Sequence, residues 1–217
     1  METQERVYRF MDKREKRNNS KRGKWHVILT VPHASCPPVE LVDNIHPCDT
    51  AAYDIAKMIE KALQNISIDS YLIKGDLPRN IVDLNRLAGR NTDLTSFRNK
   101  IRSEISNYYP RALVLDIHSY PLEKDDWASY NMVILDSSNE IMSLGRYLKT
   151  MLGKLEGADK INCLYVSTTR VNDIMDEALY EYDLYAVLLE FNESMIMKDR
   201  IRMVTVLVNL IKKFVTD

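Results

Sequence analysis

The sequence predicts an α/β protein, a three-layer α/β/α sandwich around a mixed, largely parallel sheet. Three observations predict it. Short β-branched apolar runs alternate with amphipathic stretches of helical period. The runs are apolar at successive residues, as in strands covered on both faces, rather than at every second one. No internal repeat or low-complexity linker interrupts the alternation. Helices on both sides of one sheet satisfy all three.

The elements follow in order. "KWHVILTVP", residues 24–32, is a compact β run ended by a proline, which has no amide hydrogen for the ladder. "TAAYDIAKMIEKALQNI" then places Ile55, Met58, Ile59, Ala62 and Leu63 on one helical face. Strand, loop, helix is the unit. It returns as "DSYLIKG" (strand), "LTSFRNKIRSEISNYY" (helix), "RALVLDIHS" and "NMVILD" (strands) and "NEIMSLGRYLKTMLGKL" (helix). "INCLYVST" is a strand, "NDIMDEALYEY" a short helix, "YAVLLEFN" a strand and "KDRIRMVTVLVNLIKKFV" the closing helix. Two long irregular stretches remain, "CPPVELVDNIHPCD" and "GDLPRNIVDLNRLAGRN".

The 217 residues divide into a charged lead-in, 1–23, and one domain, 24–217. Hydrophobic residues at 45% and charged residues at 28% are ordinary for a soluble globular chain. No apolar run reaches the roughly 18 residues of a membrane span, and the lead-in is too charged for a secretory signal, so a cytoplasmic location is expected. A net charge of -1 argues against nucleic acid as a partner, and the basic residues between Arg6 and Lys24 read as a solvated helix or tail. Cys36, Cys48 and Cys163 are odd in number and lack metal-ligand spacing, so reduced thiols are expected.

In open α/β sheets the site lies beyond the carboxyl ends of the strands. There the first strand delivers His33 and the strand "RALVLDIHS" delivers Asp116 and His118. Either histidine alone reads as a core or capping residue; together, imidazoles at neighbouring strand ends can converge on one ion, and zinc is the usual guest of neutral imidazole. A third ligand must come from elsewhere. The loop after His33 offers Glu40, His46 and Asp49, the last equally readable as a helix N-cap. Asp116, two residues before His118, projects to the same side of the strand and reads as a carboxylate that orients an imidazole, or as a polar strand terminus.

"LPRNIVDLNR" gathers Arg79, Asp83, Asn85 and Arg86, a set suited to bidentate recognition of a carboxylate or to an ion pair between Arg86 and Asp83 or Asp93. Glu190 follows Val187, Leu188 and Leu189 in an apolar strand. A carboxyl so placed is raised by desolvation unless a cation holds it charged, as suits a general base or acid.

Taken in order, "VPHAS", "VDLNR", "LDIHS" and "VLLEFN" resemble the N-formylglutamate amidohydrolase family, a branch of the zinc carboxypeptidase and aspartoacylase group. "RVNDIMDEA" is similar to the family's segment ahead of the glutamate strand, and the resemblance spans residues 27–193. It implies Zn2+ held by His33, Asp49 and His118, with Glu190 as the proton acceptor. Asn85 and Arg86 would grip the substrate carboxylate, with Arg79 beside the polarised carbonyl or a second acid group. Ala34 and Ser35 stand where the family usually has glycine, and the loop to Asp49 aligns poorly. The expected function is zinc-dependent hydrolysis of an amide in a carboxylate-bearing N-acyl amino acid or peptide. The alternative is a catalytically silent relative that binds a partner. A nucleotide-binding protein is disfavoured by the lack of a P-loop or dinucleotide glycine fingerprint.

Overall fold

The computed structural model describes residues 24–36, 48–79, 81–86, 92–121, 126–137, 143–157, 160–169 and 171–216. The lead-in 1–23, Glu40 and His46 lie outside the described residues. Strands β1 (His26–Val31), β2 (Asp69–Lys74), β3 (Ala112–Tyr120), β4 (Met132–Asp136), β5 (Cys163–Ser167) and β6 (Tyr185–Asn192) form one sheet of order β2-β1-β3-β6-β4-β5. All neighbouring pairs are parallel except β4 with β6. Every residue of β1 and β3 is buried, as their unbroken apolar runs require.

Helices α1 (Ala52–Asn65), α3 (Leu144–Leu152) and α5 (Met197–Thr216) pack together on one face. Of the face read from its periodicity, helix α1 buries Ile55, Ile59 and Leu63 and half-buries Met58 and Ala62, and it buries Ala56 as well. On the other face α2 (Thr92–Tyr108) meets α4 (Asp173–Asp176), which continues into a π-helical turn (Glu177–Glu181). Arg98 of α2 and Glu177 form a buried ion pair at this seam, and Arg102 pairs with the same carboxylate.

This strand order fixes where a site can form. The chain leaves β1 through α1 to β2 on one side and returns through α2 to β3 on the other, so the crossovers diverge between β1 and β3. At such a switch point the carboxyl ends of the two strands open a crevice. His33 follows β1 and His118 stands near the end of β3, one on each side of it.

The turn that carries His33 is held by backbone packing after β2. Gly75 donates its amide to Val31 O at 2.9 Å, and its carbonyl accepts from Ser35 Oγ at 2.8 Å. A Cβ here would lie 2.1 Å from Pro32 O and 2.7 Å from Leu84 Cδ1. Only glycine lets the two segments approach this closely.

One expectation is overturned. Cys36 and Cys48 are joined in a disulfide, with their Cα atoms 4.9 Å apart, and Cys163 alone is a free thiol among the described residues. Counting cysteines could not show this, because the pairing follows from tertiary closure. The Asp49 amide donates to His33 O at 3.0 Å, which folds the chain back on itself and brings the two cysteines together.

Two predictions follow from this packing, both read by urea unfolding. Gly75→Ala costs more than about 2 kcal/mol, because the added methyl meets backbone that cannot yield. Replacing Cys36 and Cys48 together by alanine costs about 3 kcal/mol, the loop-closure entropy for a separation of 12 residues. An unshifted midpoint in either variant contradicts the corresponding role.

Candidate metal centre

The structure brings His33, Asp49 and His118 together as a buried cluster in which one donor atom from each lies within 4.8 Å of the others. The imidazole centroids are 4.9 Å apart with their planes at 71°, so the rings converge edge to face. Asp49 Oδ2 is 2.7 Å from His118 Nδ1 and 3.6 Å from His33 Nδ1. All three residues are at most 4% exposed.

Each ring is held from its far side by a second carboxylate. His33 Nε2 donates to Asp83 Oδ1 at 2.9 Å, and His118 Nε2 lies 3.1 Å from Asp116 Oδ2. A proton kept on Nε2 leaves His33 Nδ1 as a lone-pair atom facing Asp49, whereas His118 Nδ1, 2.7 Å from the Asp49 carboxylate, shares a proton with it until a cation takes that place. His33 Nδ1 is buried and has no hydrogen-bond partner. An unsatisfied imidazole nitrogen beside a buried carboxylate is what a cation ligand requires, and two nitrogens with one carboxylate oxygen form a donor set of catalytic-zinc type.

The charges are coupled. Burial drives the Asp49 carboxyl upward, but the His118 charge, its hydrogen bond, and the lesser effects of His33 outweigh it and hold Asp49 well below the usual carboxylate range. Burial likewise opposes protonation of His118, yet Asp116 and then Asp49 raise it well above the ordinary imidazole value. For Asp83, burial is outweighed chiefly by the His33 hydrogen bond, which takes its carboxyl down to about 2. A metal at these three atoms must displace the proton that His118 Nδ1 shares with Asp49, so affinity rises with pH.

Asp49 is not the N-cap of α1. The first amides of that segment are met by other residues: Thr50 N donates to Glu193 Oε1 at 2.8 Å and Ala51 N to Ser119 Oγ at 3.2 Å. Ser119 also donates to Glu193 Oε1 at 2.7 Å. Side chains at the end of β3 and just after β6 thus hold the two amides ahead of the helix, while the Asp49 carboxylate faces the imidazoles. Successive residues of β3 point to opposite faces, so Ser119 reaches α1 while Asp116 and His118 reach the crevice.

Other sequence candidates lie around this cluster. Glu190 is partly buried and pairs in register with His118, which places the two side by side on one face of the sheet. It stands on a central strand, not an edge. Arg79 Nε is 3.7 Å and Arg86 Nε 3.9 Å from Asp83 Oδ2, with Arg86 57% exposed. Asn85 is buried and turned inward, its Nδ2 3.1 Å from His118 Nε2. Sequence reading had placed Asp83 only in an ion pair, and had not singled out Asn172, whose Nδ2 donates to Asp116 Oδ2 at 2.6 Å. Spacing could not have found either, since each acts on a histidine or carboxylate from another element.

No family model matches the chain, and no curated protein sequence matches it. Solved structures do. An Agrobacterium tumefaciens gene product superposes with a TM-score of 0.59 at 14% identity, over 88% of this chain and 90% of that one. N-formylglutamate amidohydrolase from Ralstonia eutropha JMP134 gives 0.58 at 12% identity, over 89% and 95%. Succinylglutamate desuccinylase from Vibrio cholerae gives 0.55 at 14% identity, over 88% of this chain and 57% of that one. The chain therefore shares the α/β/α fold of N-formylglutamate amidohydrolase and its carboxypeptidase-like neighbours.

Proposed function

We propose that the chain is a metal-dependent hydrolase cleaving the amide bond of a carboxylate-bearing N-acyl amino acid or peptide. The observation that carries this reading is the pair of imidazoles whose Nδ1 atoms face Asp49 while a second carboxylate holds each Nε2. His33, Asp49 and His118 would hold Zn2+, which supplies Lewis acidity and brings the pKa of a water near ~7.

The remaining work falls to the chain's own residues. Glu190, beside His118 in register, accepts the proton of the attacking water and passes it to the leaving nitrogen, so that the departing group is a neutral amine. Arg79 and Arg86 flank Asp83 at the mouth of the crevice, where guanidinium groups orient a carboxylate by paired hydrogen bonds. Orientation of this kind removes part of the entropic barrier. Two similar structures bear names that contain an N-acylated glutamate, a dicarboxylate, and two arginines suit such a substrate. We assign Asn85 to His118 rather than to the substrate, because its carboxamide is buried against the ring.

Glu190→Gln separates metal binding from turnover. The expected result is one zinc per chain by elemental analysis, as in the wild type, with hydrolysis of N-formylglutamate or N-succinylglutamate reduced at least about 100-fold. Retained turnover removes Glu190 from the mechanism. A wild-type protein that takes up no zinc favours the silent, partner-binding relative.

A further inference from the structure

The support of His118 extends past Asp116 to a helix distant in the chain. Asn172 is 2% exposed, and its carboxamide is committed at both ends. Its Oδ1 accepts from Met175 N at 2.9 Å and caps α4, while its Nδ2 donates to Asp116 Oδ2 at 2.6 Å. That same carboxylate oxygen is the one facing His118 Nε2, and Asp116 Oδ1 accepts from Thr30 Oγ1 at 2.6 Å. Asp116 is thereby fixed by a hydroxyl on β1 and an amide on α4.

The next residue acts on the same ring from another direction. Asp173 N donates to Asn85 O at 3.1 Å, and the Asn85 side chain abuts His118 Nε2. Helix α4 is itself secured to α2, because buried Arg98 donates to Glu177 and to Asp173 O, the latter at 3.2 Å. The start of α4 therefore touches both groups that meet the far nitrogen of His118.

We propose that Asn172 is a positioning residue of the metal centre, fixing the Asp116 carboxylate that orients His118. This rests on the reading of His118 as a ligand. Without the amide, Asp116 keeps the Thr30 hydroxyl on Oδ1, but its Oδ2, the oxygen that faces His118, loses a charge-assisted bond and its fixed direction. Partners one step removed from a metal typically govern affinity by 10- to 100-fold.

A role confined to capping α4 makes a different prediction, and two variants separate the two. Asn172→Ser keeps a capping side chain but has no amide to donate to Asp116. Asn172→Asp also caps, and sets a second carboxylate against the first. Zinc dissociation constants from chelator competition, melting of the metal-free protein, and its imidazole 1H–15N spectrum are measured for both. The expected results are an affinity loss of about 10-fold for serine and toward 100-fold for aspartate, with a displaced His118 Nε2–H resonance in both. For serine, metal-free melting should stay within about 4 °C of wild type, as for less than about 1 kcal/mol in a domain of this size. Adding Asn172→Ser to Asp116→Asn should cost no more affinity than Asp116→Asn alone.

Affinities within twofold of wild type and an unmoved His118 resonance would overturn the proposal. Should the wild type bind no zinc, the hydrolase reading fails and the metal-centre role of Asn172 with it; a moved resonance in the metal-free variants then shows only that Asn172 positions Asp116 and His118, and an unmoved one rejects that as well.

Discussion

A carboxylate can be buried as Asp49 is only where opposite charge or hydrogen bonds replace its water, and here the His118 imidazole does so beside the ring of His33. Most of the local architecture serves that meeting. Glu193 and Ser119 hold the amides of Thr50 and Ala51 ahead of α1, the disulfide ties Cys48, next to Asp49, to Cys36 beside the His33 turn, and Gly75 admits the backbone that seats that turn. Around the imidazoles, Asp83, Asp116 and Asn85 occupy the ring edges that Asp49 leaves. Three acids close to two histidines would repel one another were the rings neutral. A divalent cation, or the extra proton on His118, offsets part of that charge.

The fold explains why these groups meet where they do. Crossovers that diverge from β1 leave a crevice beside β3, and the parallel register brings Asp116 against Thr30 and Glu190 against His118. A polar residue at that depth costs several kcal/mol unless satisfied, and Asp116 takes its partners from Thr30 of β1 and from Asn172 at the start of α4. His26, at the opposite end of β1, shows the contrast. Its ring stacks on Tyr108 with centroids 3.6 Å apart, and it takes no part in the crevice.

Much of this was legible in the chain itself. Unbroken apolar runs marked β1, β3 and β6 as central, and histidines at two strand exits pointed to one site because parallel strands bring their carboxyl ends to the same edge. The glutamate of "VLLEFN" was legible for the same reason. What stayed hidden depends on distant partners. Asp83 reads as an ion-pair residue until His33 is seen above it, and nothing in the chain singles out Asn172 until Asp116 is seen beside it. The antiparallel turn of β4 and the Cys36–Cys48 bond are likewise tertiary facts that local period and spacing do not encode. Choosing Asp49 over Glu40 and His46 came from the resemblance; the structure adds a carboxylate between the two rings, while the other two lie outside the described residues.

The central claim is that one cation is held by two imidazole nitrogens and one carboxylate oxygen. X-ray absorption at the zinc edge of the zinc-loaded protein tests it most directly. The account predicts a first shell of nitrogen and oxygen only, with the outer-shell multiple scattering of two imidazoles. Sulfur in that shell, or scattering from fewer than two imidazoles, would contradict it.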